Sequence, residues 1–262
     1  MKPCASEQQE PVSDLIKALD GPNRLHALHA LGRLKASTAL QAVIPHTKDR
    51  DGEVRAAAAW ALGRMKQGAA TEGLVKLCED SFVPARAAAY WALGALGQSQ
   101  TRDTLAKGIV DSEREVRLST VRGIQESGKK EFFKLLVPRL DYQVRMVKNE
   151  EKPDELEEEE VWLEPDSAVR AAIIQTLGRL NVIDSTPGMI YALEREESFN
   201  RQIIIKTLKQ FGARISSVCL GRIVPTPYDK EAFEKRLHLL VNNGTLAVIA
   251  GQLGDKRSIP HL

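Results

Sequence analysis

The feature that most constrains this chain is a period of 31 residues. Arg24, Arg55, Arg86 and Arg117 follow one another at that step, and Leu31-Gly32, Leu62-Gly63 and Leu93-Gly94 keep it, with Ile124 on the same register. The register then jumps by 53, one period plus 22, to Arg170 and Leu177-Gly178. It resumes at 31 with Arg201 and Leu208, and a last match, Leu253-Gly254, arrives 45 residues on. A chain of this kind is a stack of like units, each burying its apolar face against the next.

Each unit reads as two helices. In residues 50 to 80 the first helix carries Val54, Ala57, Ala58, Ala61 and Leu62 on one face, and most of that face is small, so neighbouring backbones can approach closely. Asp51, Glu113 and Asp166 stand four residues before the recurrent Arg, where an acid can cap a helix start. In the second, shorter helix Leu74, Val75 and Cys78 are expected to bury while Glu72, Lys76 and Glu79 face water. Between the two helices one position recurs as Lys35, Lys66, Gly97, Gly128, Asn181 and Gly212, a place for the left-handed residue that ends a helix. That position disposes of an apparent phosphate-binding loop at GIQESGKK, 123–130. Lys130 stands where a hydroxyl should be, and Gly128 is the helix-ending residue of the fourth repeat.

The composition agrees. The chain of 262 residues is 43% hydrophobic but only 5% aromatic, with alanine and leucine prominent, which favours packed helices over a sheet. Cys4, Cys78 and Cys219 show no C-x-x-C spacing, so a disulfide framework or zinc site is not expected. No apolar run approaches the ~20 residues of a membrane span, and the expected setting is the cytoplasm.

The stretches DGEVRAAAAWALGRM (51–65), DSAVRAAIIQTLGRL (166–180) and PARAAAYWALGAL (84–96) resemble the short HEAT-like repeats first associated with phycobilisome lyases. The similarity covers about nine tenths of the chain, and it is specific for this repeat, because tetratricopeptide and ankyrin periods do not fit. The resemblance implies an all-α, right-handed solenoid of about seven helical pairs. Its second helices would line the concave side, and the recurrent Arg would join a ladder between repeats. The fourth repeat departs with RGIQES, the sixth with TLKQF. No His-Glu dipeptide is present, so the ligand motif of hydroxylases built on HEAT-like repeats is missing.

Domain organisation follows from the register. Residues 1–11 read as a flexible start, 12–140 as a capping helix and repeats 1–4, 141–165 as an acidic insertion, and 166–262 as repeats 5–7. This last part includes an extra helix near 229–242, after Pro225 and Pro227, and an incomplete final repeat. The unfinished end suggests either a chain cut from a longer protein or an edge completed by a partner. From 141 to 166 eleven acids meet three bases, a net charge of −8 in a chain of +2 overall. Such a run reads as solvated loop. The sharper alternative is an acidic tether, with Glu158, Glu159 and Glu160 beside an apolar anchor at Val161, Trp162 and Leu163.

A search for chemistry yields little. His26 and His29 have a metal-capable spacing without evident further ligands, and no catalytic motif occurs, so no cofactor and no metal are expected. His29, Trp60 and Trp91 share one repeat position, with Tyr90 beside the last. Rings about 10 Å apart could form a platform for a peptide or planar ligand, or simply fill the interface between first helices. The second helices offer Lys76 and Lys107 in one row with Tyr191, and Lys134 and Arg139 nearby. These are the expected contacts of a protein partner along the concave face. The leading expectation is thus a non-catalytic scaffold. The alternatives are a bilin lyase or chromophore-attachment chaperone using Trp60, Tyr90 and Trp91, as the resemblance implies, and a nucleic-acid binder.

Overall fold

The structure, a computed structural model, describes residues 9–148, 156–193, 196 and 198–211. It falls into two compact units, Met1–Phe132 and Phe133–Leu262. The expected extra helix, the final repeat and Gly212 lie outside the described residues.

Unit 1 begins with α1 (Gln9–Ala18), three residues earlier than the apolar pattern implied, because Pro11 is tolerated in a first turn. The first helices of four repeats follow: α2 (Arg24–Leu34), α4 (Gly52–Met65), α6 (Val83–Leu96) and α8 (Arg114–Ser127). They lie side by side, α4 between α2 and α6, and α6 between α4 and α8. Short second helices, α3 (Leu40–Val43), α5 (Thr71–Leu77) and α7 (Arg102–Ile109), each pack on the first helix of the next repeat. Stacking therefore closes the core. Val54, Ala57, Ala58, Ala61 and Leu62 are all buried, as the pattern required. In α5, Leu74 and Cys78 are buried but Val75 is not; Leu77 takes its place, since the helix presents a slightly rotated face.

The helix-ending turn also forms as expected. Lys35, Lys66, Gly97, Gly128 and Asn181 all have positive φ, between 51° and 70°. Asp51 caps α4 through the Glu53 amide, and Asp166 caps the first helix of repeat five through the Ala168 and Val169 amides. Glu113 makes no such cap; its own amide donates to Asp111 instead.

Unit 2 contains α9 (Phe133–Leu136), α10 (Ser167–Arg179), α11 (Thr186–Leu193) and α12 (Ser198–Phe211), with α12 packed on both α10 and α11. Its departure from an all-helical chain lies in the acidic insertion. The stretch read as a solvated loop is an antiparallel hairpin, β1 (Tyr142–Lys148) with β2 (Leu156–Trp162). Tyr142 pairs with Trp162, Arg145 with Glu159 and Met146 with Glu158. The inserted strands leave the class unchanged: the fold is an all-α solenoid of helical pairs carrying a hairpin.

Candidate functional site

The recurrent arginines build a ladder. Arg55 donates from Nε to Asp80 Oδ2 at 2.6 Å and from Nη2 to Oδ1 at 2.8 Å, while Nη1 reaches the Asp49 carbonyl at 2.8 Å. Arg86 repeats this with Asp111 (3.0 and 3.3 Å) and the Asp80 carbonyl (2.7 Å). Arg24 meets Asp49 at 3.2 Å. In unit 2 Arg170 grips Glu196 with both edges of its fork, and Nη1 donates to the carbonyls of Glu164 and Pro165. One guanidinium thus ties the acid of the following repeat and the carbonyls before its own helix. The Arg55 hydrogen bond holds the Asp80 carboxyl below the usual carboxylate range and raises Arg55 in turn. The acids were the missed half of the ladder, although Asp49, Asp80 and Asp111 stand on the same 31-residue step.

Among the aromatic residues the structure corrects Tyr90. Tyr90 is no part of a platform. It is 4% exposed, its ring lies against Gly108, and burial pushes its phenol up to about 12. Trp60 and Trp91, both half-buried, lean back on the preceding first helix: a Cβ on Gly32 would stand 2.5 Å from the Trp60 ring, and one on Gly63 would stand 2.7 Å from that of Trp91. In the first two repeats the glycine is the seat for the next tryptophan. His29 and Trp60 have ring centroids 5.5 Å apart, tilted by 54°, closer than the repeat spacing implied because glycine lets the ring settle inward. Burial, then Arg33, lowers the His29 pKa.

The remaining named residues divide between the units. On unit 1, Lys76 and Lys107 are exposed in the same row as Pro45, and Lys76 pairs with Glu72 at 2.7 Å. Beside them stand two exposed apolar side chains that the pattern did not single out, Val75 at 36% and Val110 at 59%. On unit 2, Lys134 is exposed, but Arg139 is turned toward the fully buried Glu164 at 3.7 Å and so serves the interior. Glu164, read as part of a solvated run, also accepts the Asp166 amide. Trp162 is half-buried under Arg170, whose guanidinium carbon lies 4.5 Å from the ring centroid. The side chains of Tyr191, Glu158, Glu159 and Glu160 lie outside the described residues. Among the described residues no helix is long and apolar enough to cross a membrane.

Helical pairs on one repeating register, sewn by an Arg–acid ladder, define an α-solenoid. The chain belongs to the HEAT-repeat family, whose profile matches residues 10–84 and 71–150. It is similar in structure to a chain in the complex of CpcE and CpcF of phycocyanin lyase from Nostoc sp. PCC7120. There the identity is 20% over 80% of this chain and 76% of that one, with a TM-score of 0.49. Two engineered proteins compare in the same way, at 15% and 16% identity, both with a TM-score of 0.49. They cover 77% and 93% of this chain, and 96% and 72% of their own. No curated protein matches.

Proposed function

We propose that the protein is a scaffold that binds another protein on the second-helix face of its repeats. The supporting observation is the pair Val75 and Val110, exposed beside Lys76 and Lys107 on α5 and α7, in a unit whose other apolar side chains mostly bury. A surface alternating exposed valine with lysine stem and charge suits the rim and core of a protein interface. Lys134 and Tyr191, on the second helices of unit 2, belong to the same proposal.

The experiment is quantitative capture from native lysate, read by mass spectrometry, with the intact chain and with Lys107→Glu plus Val110→Glu. A protein retained in stoichiometric amount by the intact chain should be lost from the double variant. Equal capture by both removes the second-helix face as the interface.

A further inference from the structure

The edge of unit 1 formed by the turns inside each repeat carries a row of cations, four of which its ion pairs do not use. Arg33 and Lys35 flank the first turn, Arg64 and Lys66 hold the same places one repeat on, and Lys129 and Lys130 occupy the fourth turn. Among the described residues no ion pair holds Arg33, Lys35, Lys129 or Lys130. Arg64 and Lys66 both approach one acid, Glu126, at 4.0 and 3.9 Å. Glu131, next to Lys130 in the sequence, accepts from the Ser99 hydroxyl at 2.8 Å. The opposite edge behaves differently, because there Arg24, Arg55 and Arg86 are each matched by an aspartate. Uncompensated positive charge therefore collects on the intra-repeat edge.

A second observation concerns the backbone. Lys35 and Lys66 sit at φ 52° and 53°, a region any residue with a Cβ enters at a cost, where the equivalent places hold Gly97, Gly128 and Asn181. Folding alone is served better by glycine there. Strain kept at a charged surface position points to binding rather than to stability. Between Arg33 and Lys35, Leu34 is 56% exposed and supplies an apolar contact in the same row.

We propose that this edge docks an acidic, amphipathic α-helix of a partner protein. Neighbouring first helices pack about 8–10 Å apart, so the cation pairs of successive turns step by that distance. A partner helix rises about 10 Å in seven residues and returns to the same face, so acids one heptad apart meet successive turns. An extended strand covers that span in about three residues, which turns the next side chain to the opposite face. A nucleic-acid duplex presents a charge every ~1.7 Å of axis, far more densely than the cation pairs of these turns recur. It would also have no use for Leu34. This surface is separate from the second-helix face, and it stands whether or not that face binds.

The probe is a synthetic, dye-labelled helical peptide of about three heptads, with paired glutamates and one leucine per heptad. It is titrated into the full chain by fluorescence anisotropy at about 50 mM salt, where exposed charges are only partly screened. The variant is Lys35→Gly with Lys66→Gly, which removes the charges and gives each turn the residue its backbone prefers, while giving up the exposed contacts of Lys66 with Glu126, so the unfolding temperature is read alongside the affinity. Affinity is expected to fall about two- to thirtyfold, the range of two exposed ion pairs, while the unfolding temperature holds or rises. The proposal is overturned if the helical peptide does not bind, if the glycine variant binds it as well as the native chain, or if a proline-interrupted peptide of the same composition binds equally. Tighter binding of a duplex oligonucleotide, or of vesicles containing phosphatidylserine, would also overturn it.

Discussion

Gly123 lies directly on the backbone of Trp91: a Cβ added to Gly123 would stand 2.3 Å from the Trp91 carbonyl oxygen. Gly94 meets Gly123 from the other side, with its own absent Cβ 2.7 Å from the Gly123 carbonyl carbon. The fourth repeat, which departs from the usual leucine-glycine pattern, therefore has a reason to do so. Its glycine is displaced to the place where α6 and α8 touch backbone to backbone.

Gly123→Ala should accordingly destabilise the chain by about 1–3 kcal/mol, because the obstacle is main chain and cannot rotate away. The intrinsic gain of alanine over glycine in a helix, about 1 kcal/mol, is already set against that figure. Gly73 provides the contrast. It lies inside α5, and a Cβ there meets only the Thr47 hydroxyl at an ordinary 3.5 Å. Gly73→Ala should stabilise by about 0.5–1 kcal/mol. Urea unfolding of the two variants must give shifts of opposite sign, and equal signs would discard the close-contact account.

The Arg55–Asp80 rung ties stability to pH. Asp80 is held below its ordinary value, chiefly by the Arg55 hydrogen bond. A carboxyl depressed in the folded state contributes stability that is present above its unfolded value, near 3.9, and is lost as pH falls through the folded value. Asp80→Asn should cost about 1.5–3 kcal/mol at neutral pH, the range of a hydrogen bond to a charged group, since both partners are mostly buried. Below about pH 4 the native chain should lose that advantage, and the two unfolding curves should converge. Parallel curves down to about pH 2 would show that the rung carries no linkage.

How far the sequence speaks depends on how often it repeats itself. The helical pairs, the buried face of Val54 to Leu62 and the left-handed turn at Lys35, Lys66 and Gly97 were legible because each recurs on one register. Asp80 and Asp111 recur too, but their role requires knowing that the Arg side chain reaches forward across the turn. The hairpin was hidden by composition. Tyr142 to Lys148 has strand-forming residues, yet its partner, Leu156 to Trp162, is mostly glutamate, a poor strand former. Backbone pairing in tertiary context overrides that preference. Tyr90 and Trp91 show the limit of reading neighbours together: adjacent residues on a helix diverge by about 100°, so one enters the core while the other stays half-exposed.

Cys78 offers a check on the packing of α5. Its thiol is 4% exposed, and burial raises its pKa to about 12. At pH 8 almost none of it is thiolate, the reactive form. Iodoacetamide labelling followed by site-resolved mass spectrometry should find Cys78 unmodified in the native chain and modified once urea is present. Rapid native labelling would mean that α5 opens readily, and the stacked second-helix layer would then need revision.

The strongest demand on side-chain geometry falls on Arg170. Its fork bonds Glu196 twice, and its Nη1 serves two carbonyls that lead into α10, while its face covers Trp162 at the root of the hairpin. Asn200 adds a bond from Nδ2 to Glu196 at 3.1 Å, and Glu196 itself is buried. Lysine keeps the charge but offers a point rather than a fork, so it can satisfy the carboxylate or the carbonyls and not both. Arg170→Lys should therefore cost about 2–4 kcal/mol, short of the ~3–5 kcal/mol expected when a buried partner is removed altogether. Because the same side chain covers Trp162, the variant should also shift tryptophan emission to the red before global unfolding. A stability loss with unchanged emission would separate the ion pair from the hairpin. If stability is unaltered, Arg170 is not the element that fastens the inserted strands to the repeats.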